Sequence, residues 1–282
     1  MSSSLPYYAP AEIVPARLPT IDDIENSQVV FVKETSHMVV GVGEHFIVKC
    51  GYQIDLEEGR TMMFIREQTG LPVPLVYALF RDCQTGKSYI IMERIAGTNL
   101  QEAWPSLSLV QKDVVSAKLK NYLDRMRSIP SPKAYCSVGG KPLRDPLFWT
   151  GDESRRLDGP FDSESELNDA LVKVSFSSEQ IRGKVDYLRK HLPTVLNGHP
   201  AVFTHADLQR KNIMIRIESN SDISITLLDW ETAGWYPSYW EYAHAIIGCR
   251  YFEDDWHCCV DRILDPFPSE WIWMQMFLSQ HW

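Results

Sequence analysis

Hydrophobic positions along this chain change their spacing near residue 94. Before it, short valine- and isoleucine-rich runs occupy 29–32, 38–42 and 46–48, punctuated by Gly41 and Gly43, which predicts an antiparallel meander. Two further runs, 76–80 and 88–92, flank a turn at 82–86. Between these groups, 54–68 has helical composition and ends at Pro72-Val73-Pro74, where fixed φ and missing donors stop a helix. Residues 1 to about 18 hold Pro6, Pro10 and Pro15 with no period, and read as an extended arm. Thr20 before Ile21-Asp22-Asp23-Ile24 predicts a short capped helix.

From Leu109 the period becomes helical. Val110, Val114, Ala117, Leu119, Tyr122, Leu123 and Met126 recur three to four apart, the mark of a packed helix. The stretch 131–146 is turn-rich. Ser163 with Glu166 has capping-box spacing ahead of a face of Leu167, Ala170, Leu171 and Val174. A second helix is expected to start near Ser178, with Ile181, Val185, Leu188 and Leu192 as its face. Apolar runs at 201–203, 213–215 and 225–228 read as strands, Ala233-Gly234-Trp235-Tyr236-Pro237 as a turn, and 239–247, 254–264 and 269–278 as helices. The switch from strands to helices divides the chain into 1–94 and 95–282.

Composition changes the picture modestly. The chain has 282 residues, 44% hydrophobic and 23% charged, which is ordinary for a folded globular protein. Its formal charge of -9 leaves no basic excess to neutralise nucleic-acid phosphates, and it permits a cationic substrate. The six cysteines form neither a C-x-x-C pair nor a framework spacing. The amino terminus, MSSSLPYYAP, lacks a basic and then apolar leader, and no run approaches the ~20 apolar residues of a membrane span. A reduced, cytoplasmic setting without membrane or nucleic-acid partners is the expectation. His257-Cys258-Cys259 reads as buried thiols on a helix, because adjacent residues rarely converge on one tetrahedral ion.

The chemistry concentrates in HADLQRKN, 205–212, between two predicted strands, with Asp229-Trp230-Glu231 after the next strand. Phosphoryl transfer from a metal nucleotide needs one carboxylate to orient the attacking hydroxyl, and an amide oxygen and a second carboxylate for Mg²⁺. Protein kinases write this set as H-R-D-x-x-x-x-N followed by D-F-G. Taken singly, Asp207 is equally a turn cap and Asp229 a helix cap. Their conjunction with Asn212 in strand context favours chemistry.

HADLQRKN with LLDWETAGW resembles the aminoglycoside phosphotransferase family, a protein-kinase-like group that phosphorylates small molecules. With Gly159-Pro160-Phe161 before the capping box, the run is similar to fungal members. The resemblance implies an α+β, bilobal protein-kinase-like fold, with an antiparallel sheet and one helix in the smaller N-terminal lobe and a mainly helical larger lobe. It implies ATP and Mg²⁺ as cofactors, Asp207 as catalytic base, Asn212 and Asp229 as metal ligands, and His205 as a structural loop residue. In kinase-like folds the third strand presents a lysine to the nucleotide phosphates, here Lys49, and a helix glutamate holds it, here Glu58 rather than Glu57. Glu34-Thr35-Ser36-His37 stands where protein kinases carry a glycine-rich loop, and the family's serine-containing loop implies phosphate contact by Ser36. Met92-Glu93-Arg94-Ile95 corresponds to the hinge, where Glu93 and Ile95 meet adenine through backbone groups. The C-terminal helices, with Trp256, Trp271, Trp273 and acids Glu253, Asp254, Asp255 and Asp265, would shape an acceptor pocket; a solvated acidic face over core tryptophans is the equal alternative. The implied activity is a small-molecule kinase acting on a hydroxyl acceptor, cationic ones included. A catalytically silent nucleotide-binding relative is the competing reading. A protein kinase is disfavoured, because Asp229 leads straight to Gly234-Trp235 with no long segment closed by A-P-E.

Overall fold

The computed structural model describes residues 4–150, 156–176, 182–218 and 222–279. The chain forms two compact units, Met1–Thr98 with Met214–Glu231, and Asn99–Ile213 with Thr232–Trp282.

In the first unit, β1 (Tyr7–Tyr8), β2 (Val29–Lys33), β3 (His37–Val42), β4 (Phe46–Gly51), β5 (Val76–Arg81) and β6 (Ser88–Glu93) make one antiparallel sheet in the order β1-β5-β6-β4-β3-β2. The period of two along β4 decides what faces where. Phe46, Val48 and Cys50 enter a core with Ile24, Val40, Tyr77, Ala78, Tyr89 and Ile91. Lys49 falls on the opposite face, in a cross-strand row running Val39, Lys49, Ile90, Leu79. Helix α2 (Glu57–Thr69) covers that face, and Gly59 lies so close to Leu79 that a Cβ there would stand 2.2 Å from Leu79 Cδ2. The expected N-terminal arm is in part a strand. Tyr7 and Tyr8 pair with Leu79 and Ala78, and so cover amides that an edge strand would leave open. Thr20 caps α1 (Ile21–Glu25) in a reciprocal capping box with Asp23. A three-stranded sheet, ordered β11 (Ile223–Leu227), β10 (Ile213–Ile217), β7 (Thr98–Asn99), supplies the remaining strands, with all of β11 and most of β10 in this unit.

The second unit holds α3 (Leu100–Ala103), α4 (Leu109–Arg127), α5 (Glu164–Ser175), α6 (Arg182–His191), α7 (Trp240–Ile247), α8 (Trp256–Ile263) and α9 (Pro268–Leu278). Its core gathers Leu147, Phe148, Leu167, Leu171, Leu188, Tyr236, Trp240 and Phe277, among others. The buried face of α4 is Val115, Ser116, Leu119, Leu123 and Met126. Val110 and Ala117, expected on that face, are exposed, because the stripe that packs begins at Val115 and repeats every three to four residues. Ser163 accepts the Glu166 N–H as expected, but the Glu166 carboxylate returns to Asp162 N and not to Ser163 N. The expected helix start at Ser178 and Ile181 lies outside the described residues.

The segment expected as a turn after Ala233 is a strand. β12 (Gly234–Pro237) is the centre of a third sheet, ordered β8 (Cys136–Ser137), β12, β9 (Ala201–Thr204). Glycine and proline suggested a turn, yet the two aromatics between them are buried at the centre of the sheet. Gly234 is there for space, since a Cβ would lie 2.7 Å from the Cys136 carbonyl oxygen. Among the described residues, no helix is long and apolar enough to cross a membrane.

Candidate active site

Each unit assembles its own polar cluster. In the first, Lys49 leaves β4 on the face covered by α2, and Glu58 sits in the first turn of that helix. The start of α2 is set by Asp55, whose carbonyl accepts the Glu58 N–H and whose carboxylate accepts the Glu57 N–H at 2.9 Å. Glu58 Oε1 then lies 2.6 Å from Lys49 Nζ. Glu57 faces elsewhere and pairs with Arg60. Lys49 Nζ also donates to Asp229 Oδ1 at 2.7 Å. Asp229 follows β11 with φ 66°, a left-handed conformation that non-glycine residues adopt at a cost. Trp230 behind it is fully buried and donates its indole N–H to the Leu227 carbonyl at 3.0 Å, which anchors the bend.

Two carboxylates thus meet one ammonium, and a third is near: oxygens of Glu58, Asp229 and Glu231 all lie within 4.8 Å of one another. Burial works against the Lys49 charge, but Glu58 and Asp229 outweigh it and raise its pKa. Burial pushes the Glu58 carboxyl up to about 7, with repulsion from Asp229 added and attraction to Lys49 subtracting. The cluster carries excess negative charge, and its donors are hard oxygens of the kind Mg²⁺ takes.

In the second unit, β9 runs into His205, which is fully buried, then Ala206 at φ 66°, then Asp207. His205 Nδ1 accepts the Asp207 N–H at 3.3 Å, and the His205 carbonyl accepts the Thr232 hydroxyl at 3.1 Å, so the histidine braces the loop. A 3₁₀ turn, Arg210–Asn212, brings Asn212 back towards Asp207. The Asn212 amide nitrogen donates to Asp207 Oδ2 at 2.7 Å and to the Asp207 carbonyl at 3.0 Å. That orientation commits its nitrogen and leaves Oδ1 as the atom for a cation. Gln209 donates its side-chain amide to Asp207 Oδ1, and Lys211 Nζ stands 3.6 Å from Oδ2.

The remaining expected positions are more dispersed. Ser36 lies in the β2–β3 turn, with Oγ 3.3 Å from His37 Nδ1 and its carbonyl accepting the Tyr52 N–H. It is therefore beyond the β3–β4 row that holds Lys49. Glu93 ends β6. Its N–H donates to the Leu75 carbonyl, so the backbone group it can offer a ligand is its carbonyl. Its side chain also has a task, since it accepts the Leu75 N–H at 3.1 Å. Ile95 is half-buried just after the strand. Of the C-terminal acids, Asp254 binds Arg210 at 2.6 Å, and Asp255 binds Lys112 at 2.8 Å and the Trp104 indole at 2.8 Å. Trp256 is buried against Trp104. Cys259 is buried as expected, but Cys258 is exposed, because the two neighbours point to different sides of α8.

Three residues here escaped the sequence reading. Glu231 completes the carboxylate group, Gln209 binds Asp207, and Glu241 in α7 accepts backbone N–H groups of the 205–207 loop. The available signal for Glu241 was a single acid in the mostly apolar helix WEYAHAII.

Residues 25–261 match the profile of the phosphotransferase enzyme family. No curated protein matches the chain. Among solved structures, it is similar to ADP-bound aminoglycoside phosphotransferase APH(2'')-Ib, with TM-score 0.56 and 13% identity over 89% of this chain and 79% of that one. It is similar to a thermostable mutant of aminoglycoside phosphotransferase APH(4)-Ia in a ternary complex with ADP and hygromycin B, with TM-score 0.54 and 14% identity over 83% and 75% of the two chains. The GDP complex of aminoglycoside 2'-phosphotransferase-IIIa gives TM-score 0.53 and 12% identity over 83% and 80%. At these identities the likeness is one of fold, a protein-kinase-like α+β fold.

Proposed function

The chain belongs to the phosphotransferase enzyme family, and from that premise we propose that it transfers the γ-phosphoryl group of ATP to a hydroxyl of a small molecule, with Mg²⁺. In that step the acceptor oxygen forms a bond to the γ-phosphorus, the bond to the bridging oxygen breaks, and ADP leaves. Asp207 orients the hydroxyl and takes its proton. Lys49, held by Glu58, neutralises charge on the nucleotide phosphates, and Ser36 donates to a phosphate oxygen. The Glu93 carbonyl and the Ile95 N–H meet the adenine edge. Asn212 Oδ1 and Asp229 would hold Mg²⁺, which supplies charge neutralisation at the phosphates when bound. Residues 1–94 carry most of the nucleotide contacts, Ile95 adds one just beyond them, and 95–282 carry the acid–base, metal and acceptor contacts.

The observation that carries this reading is the Lys49 ammonium held at 2.6 and 2.7 Å by Glu58 and Asp229. A strand lysine that served only solubility would extend into water, and this one is mostly buried. The acceptor is a small polar molecule. The net charge of -9 suits a cationic one, as does the hygromycin B bound by a structural neighbour.

The test is a screen of a metabolite library with Mg-ATP, read as a mass gain of one phosphate on a single acceptor. On that acceptor, Asp207→Ala removes transfer while Mg-ATP binding persists, and Asp229→Ala weakens binding as well. Wild-type turnover by Asp207→Ala would refute the assignment of the base.

A further inference from the structure

Asp207 is held by more than the metal-side asparagine. Its Oδ2 accepts from the Asn212 amide at 2.7 Å, and its Oδ1 accepts from the Gln209 amide. The two donors approach different oxygens, so together they fix the rotation of the carboxylate about its last bond. Gln209 is itself fixed at both ends. Its backbone N–H donates to the Asp207 carbonyl at 2.8 Å and its own carbonyl accepts the Asn212 N–H at 2.9 Å. Its side chain lies on Gly248, at the C-terminus of α7, where a Cβ would stand 3.0 Å from Gln209 Cγ and 3.3 Å from Cδ. Gly248 has φ -63° and ψ -18°, ordinary right-handed helical values. Its backbone therefore does not require glycine, and what an added Cβ would meet first is the glutamine packed on it.

We propose that Gln209 is a positioning residue for phosphoryl transfer: lodged against Gly248, its amide holds Asp207 Oδ1 while Asn212 holds Oδ2, so the carboxylate is oriented before an acceptor hydroxyl arrives. This rests on the reading of Asp207 as the base. A carboxylate has about four lone-pair sites, so two remain for the hydroxyl after both amides have bonded. Pre-orientation matters because a misplacement of about 1 Å at the reacting group can cost about 100-fold in rate. Gln209 touches the base and not the reacting atoms, so its effect falls on turnover and leaves nucleotide affinity alone.

The experiment uses the full chain and measures phosphate release from Mg-ATP with water as the acceptor, alongside Mg-ATP affinity by calorimetry. Gln209→Met keeps the volume beside Gly248 and removes the donor. Its turnover is expected to fall by about 10- to 100-fold with affinity unchanged. Gly248→Ala keeps every hydrogen-bonding group and pushes the glutamine aside. It is expected to lose turnover while its thermal midpoint holds or rises, a combination that a merely structural role would not give. A crystal structure of Gln209→Met should show the Asp207 carboxylate rotated off its wild-type plane. Wild-type turnover in both variants, with Asp207→Ala inactive, overturns the role of Gln209 and leaves the base standing. Wild-type turnover in Asp207→Ala overturns the base and this proposal with it, and where water is too poor an acceptor the same comparison of variants is read on the acceptor that the library screen identifies.

Discussion

The buried carboxylate of Glu241 accepts the backbone N–H of Ala206 at 3.2 Å, and its other oxygen accepts that of His205 at 2.6 Å. Ala206 sits at φ 66°, where an alanine is strained, and the strain is borne at the residue immediately before Asp207. Helix α7 thereby sets the conformation of the loop through one side chain. Burial raises the pKa of the Glu241 carboxyl, and His205, through its charge and its backbone N–H, pulls it part of the way back.

Replacing Glu241 by Gln turns an amide N–H₂ towards one of those two backbone donors. One buried N–H then lacks an acceptor, which costs about 1–3 kcal/mol. Urea unfolding of Glu241→Gln should show a loss in that range with the slope unchanged. A loss of only a few tenths would mean that the loop holds its shape without the carboxylate.

What was legible in the sequence follows from what is local. The β4 alternation places Lys49 opposite Phe46, Val48 and Cys50, and the start of α2 puts Glu58 on the face that meets it. Both are short-range patterns. Glu241 acts on the 205–207 loop from far along the chain, which no spacing encodes, and Gln209, though only two residues from Asp207, carries no mark that sets it apart from its neighbours. A lone acid in a helix looks like a solvated position, and a glutamine inside HADLQRKN looks like a spacer. β12 was misread for a related reason. Glycine and proline at its ends mark a turn in isolation, and only the pairing with β9 and β8 makes it a strand. Similarly, nothing in Tyr7-Tyr8 announces that the β5 edge needs a partner.

Removing the Lys49 charge should be far more damaging than removing it together with one carboxylate. Lys49→Met leaves Glu58 buried beside Asp229 with no cation between them, and breaking a buried pair in this way costs about 3–5 kcal/mol. Lys49→Met/Glu58→Gln removes one of the stranded charges and should recover a substantial part of that loss. Chemical denaturation of the two variants decides the point. Equal destabilisation would show that the cluster does not depend on charge balance.

Arg210 lies beside a perpendicular pair of indoles, Trp104 and Trp256, whose ring centres are 5.0 Å apart. Its guanidinium lies 5.8 Å from the Trp104 ring centre and 5.7 Å from that of Trp256, and it binds Asp254 at 2.6 Å. Arg210→Lys keeps the charge but loses the planar group that stacks, so about 1 kcal/mol of stability should go. The same loss is expected at low and high salt, because stacking on a ring is screened less than an exposed ion pair. A deficit that vanishes in high salt would assign the contact to Asp254 alone.

The pH dependence of stability should carry the signature of one buried pair. His244 Nε2 lies 3.1 Å from Asp145 Oδ2, and Asp145 also accepts from the Trp240 indole and the Leu147 N–H, each at 2.9 Å. Burial disfavours the imidazolium, but Asp145, with Asp207 and Glu241 behind it, outweighs burial and raises the His244 pKa above its ordinary 6.5. Burial likewise disfavours the Asp145 carboxylate, and His244 with the two N–H donors overcomes it, so its pKa falls below 3.8. A raised histidine contributes its stability fully below pH 6.5 and loses it as pH rises through the folded-state value. A lowered aspartate contributes fully above pH 3.8 and loses that as pH falls through its own folded-state value. The pair is therefore worth most between those two limits. Denaturant unfolding of the wild-type chain and of His244→Asn, compared at pH 5.5 and at pH 9, should show the wild-type advantage shrinking towards the alkaline end. An advantage that stays constant, or that grows with pH, would mean that His244 is neutral in the folded chain and that Asp145 is held by Trp240 and Leu147 alone.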